Sequence, residues 1–509
     1  ATERAWPVYL EIATAWKLHT RDELERQRER AEAAEATLDP DDAAAASEIP
    51  GPGLWKGHAI TPNHPDYDAT VALHRAFRPE IDRLIDATSR PVTGMMYSDR
   101  TEEVDVADGV TFLNTLPPKE DPVQQGSLFE LRLPHLAHMR RLARILIFDA
   151  KIGADEGDAG RVVESHGAVL LMARQLHEEP VFLITDFVKI SLITFSIDQL
   201  RDLLKAHPDL LTRDQIISLA HSYGAARDRV EIGLGVQSMM FEDLLQRAFT
   251  DNGNGNGRLT PEGLGMLSLY SRFAAVPVDV FPRSAPGFYK DAASPLSITL
   301  VADRRAQRER FRTVTDAFET VLREGPASIG RLETIERQLT EDYRWMESLR
   351  YQPVLVTMPA LLISCETIFR ARTRVDAGVL MLALEVYRTE HGAYPGSLHD
   401  LPPRLIPEIP EDPMDPGSPL KYARTDTGYV IYSVGSDGDD DSGRATDRSR
   451  ITDGSKDKPD NVSDFSIRFA RGTEPEPSPS GHAPGSTRDD RVTPPDADWI
   501  LIEIARTAG

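Results

Sequence analysis

The sequence predicts a mainly α-helical chain, an antiparallel helical array or bundle, with short strands gathered near its C-terminal end. Three observations carry this. Apolar residues recur at the helical period through most of residues 131–275, as at Leu136, Met139, Leu142, Leu146 and Ile147. Turn residues fall between the periodic blocks: Gly153, Glu156-Gly157, Pro180, Pro208 and Gly224. Strand-like pieces stand at Lys421–Ala423, Gly428–Ser433 and Trp499-Ile-Leu-Ile-Glu-Ile504.

From the N-terminus, residues 1–37 read as a helix through Trp6, Leu10, Ala13 and Leu18, continued by a charged, solvated run, Arg21–Glu35. The acidic, alanine-rich Asp39–Ala46 and the breaker Pro50-Gly-Pro-Gly53 follow. A second helix is expected over 67–87, and residues 90–130 hold turns and β-like pieces such as Val110-Thr-Phe-Leu113. The turn Ala150–Gly160 resembles that of a tetratricopeptide pair, without a repeat period to support it. Beyond a Pro-rich link at 277–296, helices are expected over 300–322 and 329–349. The expected divisions are 1–130, N-terminal helices and irregular segment; 131–350, helical body; 351–470, the C-terminal domain; 471–497, a disordered Pro/Ser/Gly-rich insertion; and 498–509, a terminal strand.

Composition bounds the function. The 509 residues carry 40% hydrophobic and 27% charged side chains, ordinary for globular domains, with a net charge of −23. Such a surface repels phosphate backbones and anionic lipid, so nucleic acid is excluded as a partner. It suits high solubility or the holding of divalent cations. The single cysteine, Cys365, permits no intramolecular disulfide and follows the apolar run Pro353–Ser364, which reads as core. That run is too short to span a bilayer, which takes about 20 apolar residues. The chain opens Ala1-Thr-Glu-Arg without Met, and the expectation is an extracytoplasmic protein (periplasm or cell surface) whose N-terminal signal or membrane anchor is absent from this chain.

The richest motif lies near the C-terminus. A helix over Val375–Glu390 carries Val379, Leu382 and Val386 on one stripe and leads to Tyr387-Arg-Thr-Glu-His-Gly-Ala-Tyr-Pro395. There Gly392 can take the left-handed cap, Pro395 stops the helix, and Tyr387 and Tyr394 pack the turn. Asp412-Pro-Met-Asp-Pro-Gly-Ser-Pro-Leu-Lys-Tyr422 follows, then the two strands, then Val434-Gly-Ser-Asp-Gly-Asp-Asp-Asp-Ser-Gly443. Residues 371–468 resemble the C-terminal domain of the major pseudopilins of type II secretion systems (protein G-like). The matching features are the Tyr…Gly-x-Tyr-Pro helix exit, the Asp-Pro segment before the strands, and the acidic loop after them. The resemblance implies an α+β domain, a long helix packed on a small antiparallel sheet, closed by calcium. By matching position it implies the carbonyls of Val434 and Ser436 and the carboxylates of Asp437 and Asp464 as ligands, with Asp439 or Asp441 as a replacement where the family has paired acids. Calcium takes six to eight oxygens. The competing reading of these residues is a solvated acidic loop. Pseudopilins begin with an apolar helix that packs into a filament; here some 370 residues of other protein precede the match. The remainder resembles uncharacterised bacterial helical exported proteins.

A second oxygen-rich loop, Asp251-Asn-Gly-Asn-Gly-Asn-Gly-Arg-Leu-Thr-Pro-Glu262, lies between amphipathic helices and resembles an EF-hand loop. Started at Asp251, it puts Glu262 on the twelfth position but glycines on ligand positions. Started at Asn252, the ligands Asn254 and Asn256 fit and the glutamate comes one place early. The alternative is a polar turn with Thr260 capping the next helix. His135 and His138 share a helical face at i, i+3, but without further ligands they read as core or surface histidines; His391 suits a helix C-terminus. No Gly-x-Ser-x-Gly elbow, phosphate loop or dinucleotide fingerprint occurs. The expectation is a non-enzymatic structural or protein-interaction protein with protein partners, calcium as its cofactor, and membrane contact only through a missing N-terminal segment. Two alternatives stand: a subunit of a type II secretion or pilus-like surface machine, and a hydrolase with its site in the helical body.

Overall fold

The computed structural model describes residues 4–35, 67–106, 110–117, 126–178, 182–273, 295–325, 350–357, 361–426, 428–434 and 499–505, with 328, 334 and 440 singly. Among them the chain is mostly helical, with thirteen α-helices and two small antiparallel sheets. Apart from Thr334, the expected helix at 329–349 lies outside the described residues, as does the insertion at 471–497.

Helix α1 (Trp6–Glu35) buries Trp6, Tyr9, Ile12, Ala13 and Trp16, a spacing that puts them on one face. The expected helix over 67–87 is two, α2 (Tyr67–Ala76) and α3 (Arg78–Thr88), divided at Phe77. Pro79 explains the break: its nitrogen has no hydrogen to donate back to the preceding turn, so it sits in the first turn of a new helix. The hairpin β1 (Thr101–Val106) and β2 (Val110–Thr115) follows, pairing Thr101 with Thr115 and Val106 with Val110.

The body comprises α4 (His135–Asp155), α5 (Ala159–Glu178), α6 (Leu183–Ala206), α7 (Arg213–Arg227), α8 (Gly235–Ala248) and α9 (Pro261–Phe273). The sequence reading placed Gly153 and Gly224 between helices; both lie inside helices, in α4 and α7. Gly157, with φ of 77°, makes the α4–α5 turn instead, and Asp158 caps α5 by accepting from the Arg161 amide. Gly153 is a packing glycine: a Cβ there would lie 3.0 Å from the Arg161 side chain. At α7 a capping box forms between Thr212 and Gln215.

After α10 (Pro295–Leu300) comes α11 (Arg304–Glu324), capped by Asp303, whose carboxylate accepts from the Ala306 amide. Then α12 (Gln352–Thr357) precedes α13 (Leu361–His391), a 31-residue helix that starts well before the expected Val375. Its buried residues, among them Cys365, Ile368, Val375, Leu380, Met381, Leu382, Leu384 and Val386, surround the helix instead of forming a stripe. A helix apolar on all sides belongs in the middle of a fold. The helical body covers one side, where Arg374 pairs with Asp198 at 2.9 Å and Arg227 with Asp376 at 3.0 Å. Arg213 pairs with Glu390 at 2.8 Å, and the Arg372 guanidinium donates to the Val230 carbonyl at 2.7 Å. The second sheet, in order β3 (Lys421–Arg424), β4 (Gly428–Ser433), β5 (Trp499–Ala505), is antiparallel throughout, and β5 runs against α13. One continuous set of buried apolar side chains extends from Ala5 to Ile431. No helix among the described residues is long and apolar enough to cross a membrane.

Candidate functional site

The acidic loop after β4 starts from a fixed point. Asp412 is fully buried, and its carboxylate accepts from the Ser433 hydroxyl at 2.7 Å, the Val434 amide at 3.0 Å and the Met414 amide at 2.9 Å. The last bond is an Asx turn, which the Asp-Pro segment favours. Val434, the first expected ligand, is therefore held by its own amide. Ser436, Asp437, Asp439, Asp441 and Asp464 lie outside the described residues. Asp440, between them, accepts from the Tyr432 hydroxyl at 3.1 Å. The sequence reading quoted Asp412 without giving it this role; its signal is an aspartate two residues before an amide that a turn must satisfy.

The helix exit is equally tied. Gly392 has φ of 76°, and the Tyr394 hydroxyl donates to the buried Glu385 carboxylate at 2.7 Å. The Tyr422 hydroxyl donates to the Pro395 carbonyl at 2.9 Å, and Tyr394 meets Tyr429 edge-on. His391 closes the helix by stacking on Tyr387, with ring centroids 4.0 Å apart, and its Nδ1 lies 3.0 Å from the Tyr387 carbonyl.

In the glycine-rich loop the oxygens are turned to backbone and to α11. Asp251 accepts from the Gly253 amide at 2.8 Å and from Arg304 at 3.1 Å. Asn252 accepts from the amides of Asn254 and Asn256, at 3.0 and 3.3 Å. Asn256 accepts from the Arg305 amide at 3.0 Å. Asn254 and Glu262 are exposed, with Glu262 in the first turn of α9. Thr260 caps that helix through the Gly263 amide at 2.9 Å. Gly257 packs so tightly that a Cβ would overlap the Thr250 carbonyl oxygen, 1.7 Å away. Two of the five candidate ligands here, Asp251 and Asn256, thus dock the start of α11.

Beside this dock an open groove of about 480 Å³ is lined by Asn254, Gly255, Arg305, Arg308, Glu309 and Arg312. Along α11 its charge alternates in sign, with Arg305, Arg308 and Arg312 set among Glu309 and Asp316. Arg308 is taken up by Glu242 and the Gly255 carbonyl, at 2.7 and 2.9 Å. Glu309 stands four residues after Arg305 and three before Arg312, the spacing at which helical charges neutralise each other.

His135 and His138 are both buried against Trp6, and burial pushes both imidazoles down to about 4. The sequence reading missed three polar clusters that only the tertiary fold assembles. In the first, His166 Nδ1 lies 2.9 Å from the Ser196 hydroxyl and 3.1 Å from that of Tyr223, while the two hydroxyls are 2.7 Å apart. It contains serine and histidine, but all three side chains are fully buried, so no substrate meets them. In the second, Lys189 donates to Asp186 at 2.6 Å and to the Glu231 carbonyl at 3.0 Å, with His177 Nδ1 at 3.3 Å. In the third, the buried Asp149 receives Arg161, Arg78 and Ser165. The three clusters bond most of their groups to one another or to backbone, while His166 Nε2 and Arg161 Nε are buried without a hydrogen-bond partner. Among the described residues, no group of three or more His, Cys, Asp and Glu side chains is placed to hold a metal ion.

The described residues define a mostly helical protein with three polar clusters in its interior. No protein-family model, curated protein or solved structure matches the chain.

Proposed function

We propose that this chain is a non-enzymatic extracytoplasmic protein of structural or protein-interaction role, ending in a pseudopilin-like domain that calcium closes. The observation that carries the reading is Asp412: a buried carboxylate fixes Ser433 and Val434 where the acidic loop departs. That preorganises the Val434 carbonyl for a hard cation, and the acids of 435–443 supply the charge such a cation needs. Apo, these carboxylates repel; a bridging divalent ion turns repulsion into closure.

The surroundings of α13 favour a static role over filament assembly. A filament subunit leaves one face of its long helix free for a neighbour, whereas α13 is buried on all sides between the body and β5. The sealed polar clusters support the non-enzymatic reading, since a hydrolytic site needs its nucleophile in contact with a cavity.

The test is calorimetric titration of calcium into the metal-stripped whole chain, beside Asp437→Ala. Binding heat that is lost in Asp437→Ala is the expected result. No heat in the parent chain at millimolar calcium, or equal heat in both proteins, overturns the calcium assignment.

A further inference from the structure

Helix α1 is attached to the body through histidines. Its Trp6 ring lies against His135 and His138 of α4, with centroids 6.0 and 5.8 Å apart. Two turns and more along, Trp16 meets His74 of α2 edge-on at 4.7 Å, and His74 in turn meets Phe148 at 4.6 Å. These three imidazoles are at most 6% exposed, and neither ring nitrogen of His74 or of His135 has a hydrogen-bond partner.

An imidazolium in such a place would need a carboxylate, and the charges acting on these rings have the opposite sign. Arg161 of α5 faces His74; Arg141 of α4 and Lys17 of α1 face His138; His135 and His138 face each other. His138 gains one favourable partner, a backbone group of Leu113. Tyr97 meets the edge of His135. No acidic group acts on His74 or His135 among the described residues.

We propose that α1 is an acid-released element: protonation of His74, His135 and His138, which Trp6 and Trp16 cover, detaches it while the body stays folded. Only the released form lets all three rings meet water, so only that form binds the three protons readily. Each pH unit below about 6.5 then favours release about tenfold per histidine, about a thousandfold in all.

The apolar face of α1, with Tyr9, Ile12 and Ala13 fully buried, opposes release to the same extent at every pH, so it sets the midpoint and not the slope. Tyr9 bonds Gln175 at 2.6 Å, Glu11 pairs with Arg83 at 2.9 Å on the surface, and the Ala5 and Trp6 amides donate to the carbonyls of Val92 and Thr93. None of these bonds involves a histidine. The body responds less steeply, because His166, the other fully buried imidazole, is covered by α6 and α7 and contributes one proton.

Hydrogen exchange read by mass spectrometry on the whole chain, corrected for intrinsic rates, tests the idea from pH 7.5 to 4.5. Peptides of residues 6–20 are expected to lose protection between pH 6.5 and 5, reversibly, while those of α5, α7 and α13 keep theirs. The logarithm of the opening constant should rise with a slope of two or more per pH unit. In His135→Phe/His138→Phe, which keeps the rings and removes two protons, the slope should fall by about two. Loss of protection by α1 and body together overturns the proposal, as does a slope under two in the parent chain; the parent slope decides even where the double variant does not fold.

Discussion

The hydroxyl of Tyr394 reaches back nine residues, past the end of α13, to donate to the carboxylate of Glu385 at 2.7 Å. Glu385 is 1% exposed, and its second oxygen is held by Arg388 at 3.1 Å. The bond locks the helix exit against the sheet, because Tyr394 also packs on Tyr429 of β4.

Tyr394→Phe keeps the ring and leaves a buried carboxylate short of one donor. A loss of about 1–3 kcal/mol is expected, since the unmatched group bears its desolvation penalty. Glu385→Gln, which removes the charge and keeps an acceptor, should cost less. Chemical denaturation of the two variants gives the comparison. A Tyr394→Phe protein as stable as the parent would show that Arg388 alone satisfies Glu385.

Asp412→Ala should be worse. It strands the buried Val434 amide, removes one partner of the Ser433 hydroxyl and breaks the Asx turn at Met414. About 3 kcal/mol is expected from the three lost bonds. Under the calcium reading, the variant should also weaken calcium binding by tenfold or more. Intact calcium affinity in a destabilised Asp412→Ala would separate the two roles.

These residues show what the sequence discloses and what it hides. Helical period, the left-handed Gly392 and the strands at 421–424, 428–433 and 499–505 are local properties, and local patterns report them. Phe77 and Gly153 mark the first limit. A proline two residues past Phe77 broke a helix that apolar spacing ran straight through, and a glycine that reads as punctuation serves close packing. The second limit is distance along the chain. His166, Ser196 and Tyr223 come from three helices, and nothing near any of them in sequence announces the others. The oxygen-rich pattern at 251–262 is legible as a tight polar loop, but its side chains point to Arg304 and Arg305, some fifty residues on.

That loop makes its own prediction. If Asp251 serves to dock Arg304, then Asp251→Ala and Arg304→Ala should be non-additive, coupled by about 0.5–1 kcal/mol for a pair with one exposed partner. Gly257→Ala should cost more than either, because its Cβ meets backbone that cannot step aside. Thermal melts in calcium and in chelator measure both. A stabilisation by calcium that disappears in Asp251→Ala alone would restore the loop as a metal site.

Lys189 and Asp186 are both at most 2% exposed, and between them they hold the chain at Glu231 and Gly233. Lys189→Met leaves Asp186 charged and buried without its counter-ion, a change that typically costs about 3–5 kcal/mol. Adding Asp186→Asn should recover part of that loss. Stability of the single and double variants by denaturant titration decides; a double variant worse than the single would mean that Asp186 draws its main support from the Gly233 amide.

The pH dependence of global stability follows from groups with opposite signs. Burial pushes His135 and His138 down to about 4 and His74 and His166 to about 3. A histidine depressed in the folded state contributes stability that is whole above its unfolded value, about 6.5, and is lost as pH falls below it. At pH 5 each has lost about 2 kcal/mol; for His74, His135 and His138 that loss falls on the docking of α1, and for His166 on the body. One buried and two half-buried aspartates act the other way. Desolvation raises Asp186, Asp198 and Asp376 above their ordinary range, despite nearby Lys189, Arg374 and Arg227. A raised carboxylate binds its proton more readily folded than unfolded, so acidification through its folded value adds stability. The melting temperature should therefore fall as the pH drops below about 6.5, and the aspartates offset part of that loss as they take up protons. A profile flat to pH 5 and falling only below 4 would assign acid sensitivity to ordinary carboxylates, and the histidines would then have to be accessible to water in the folded chain.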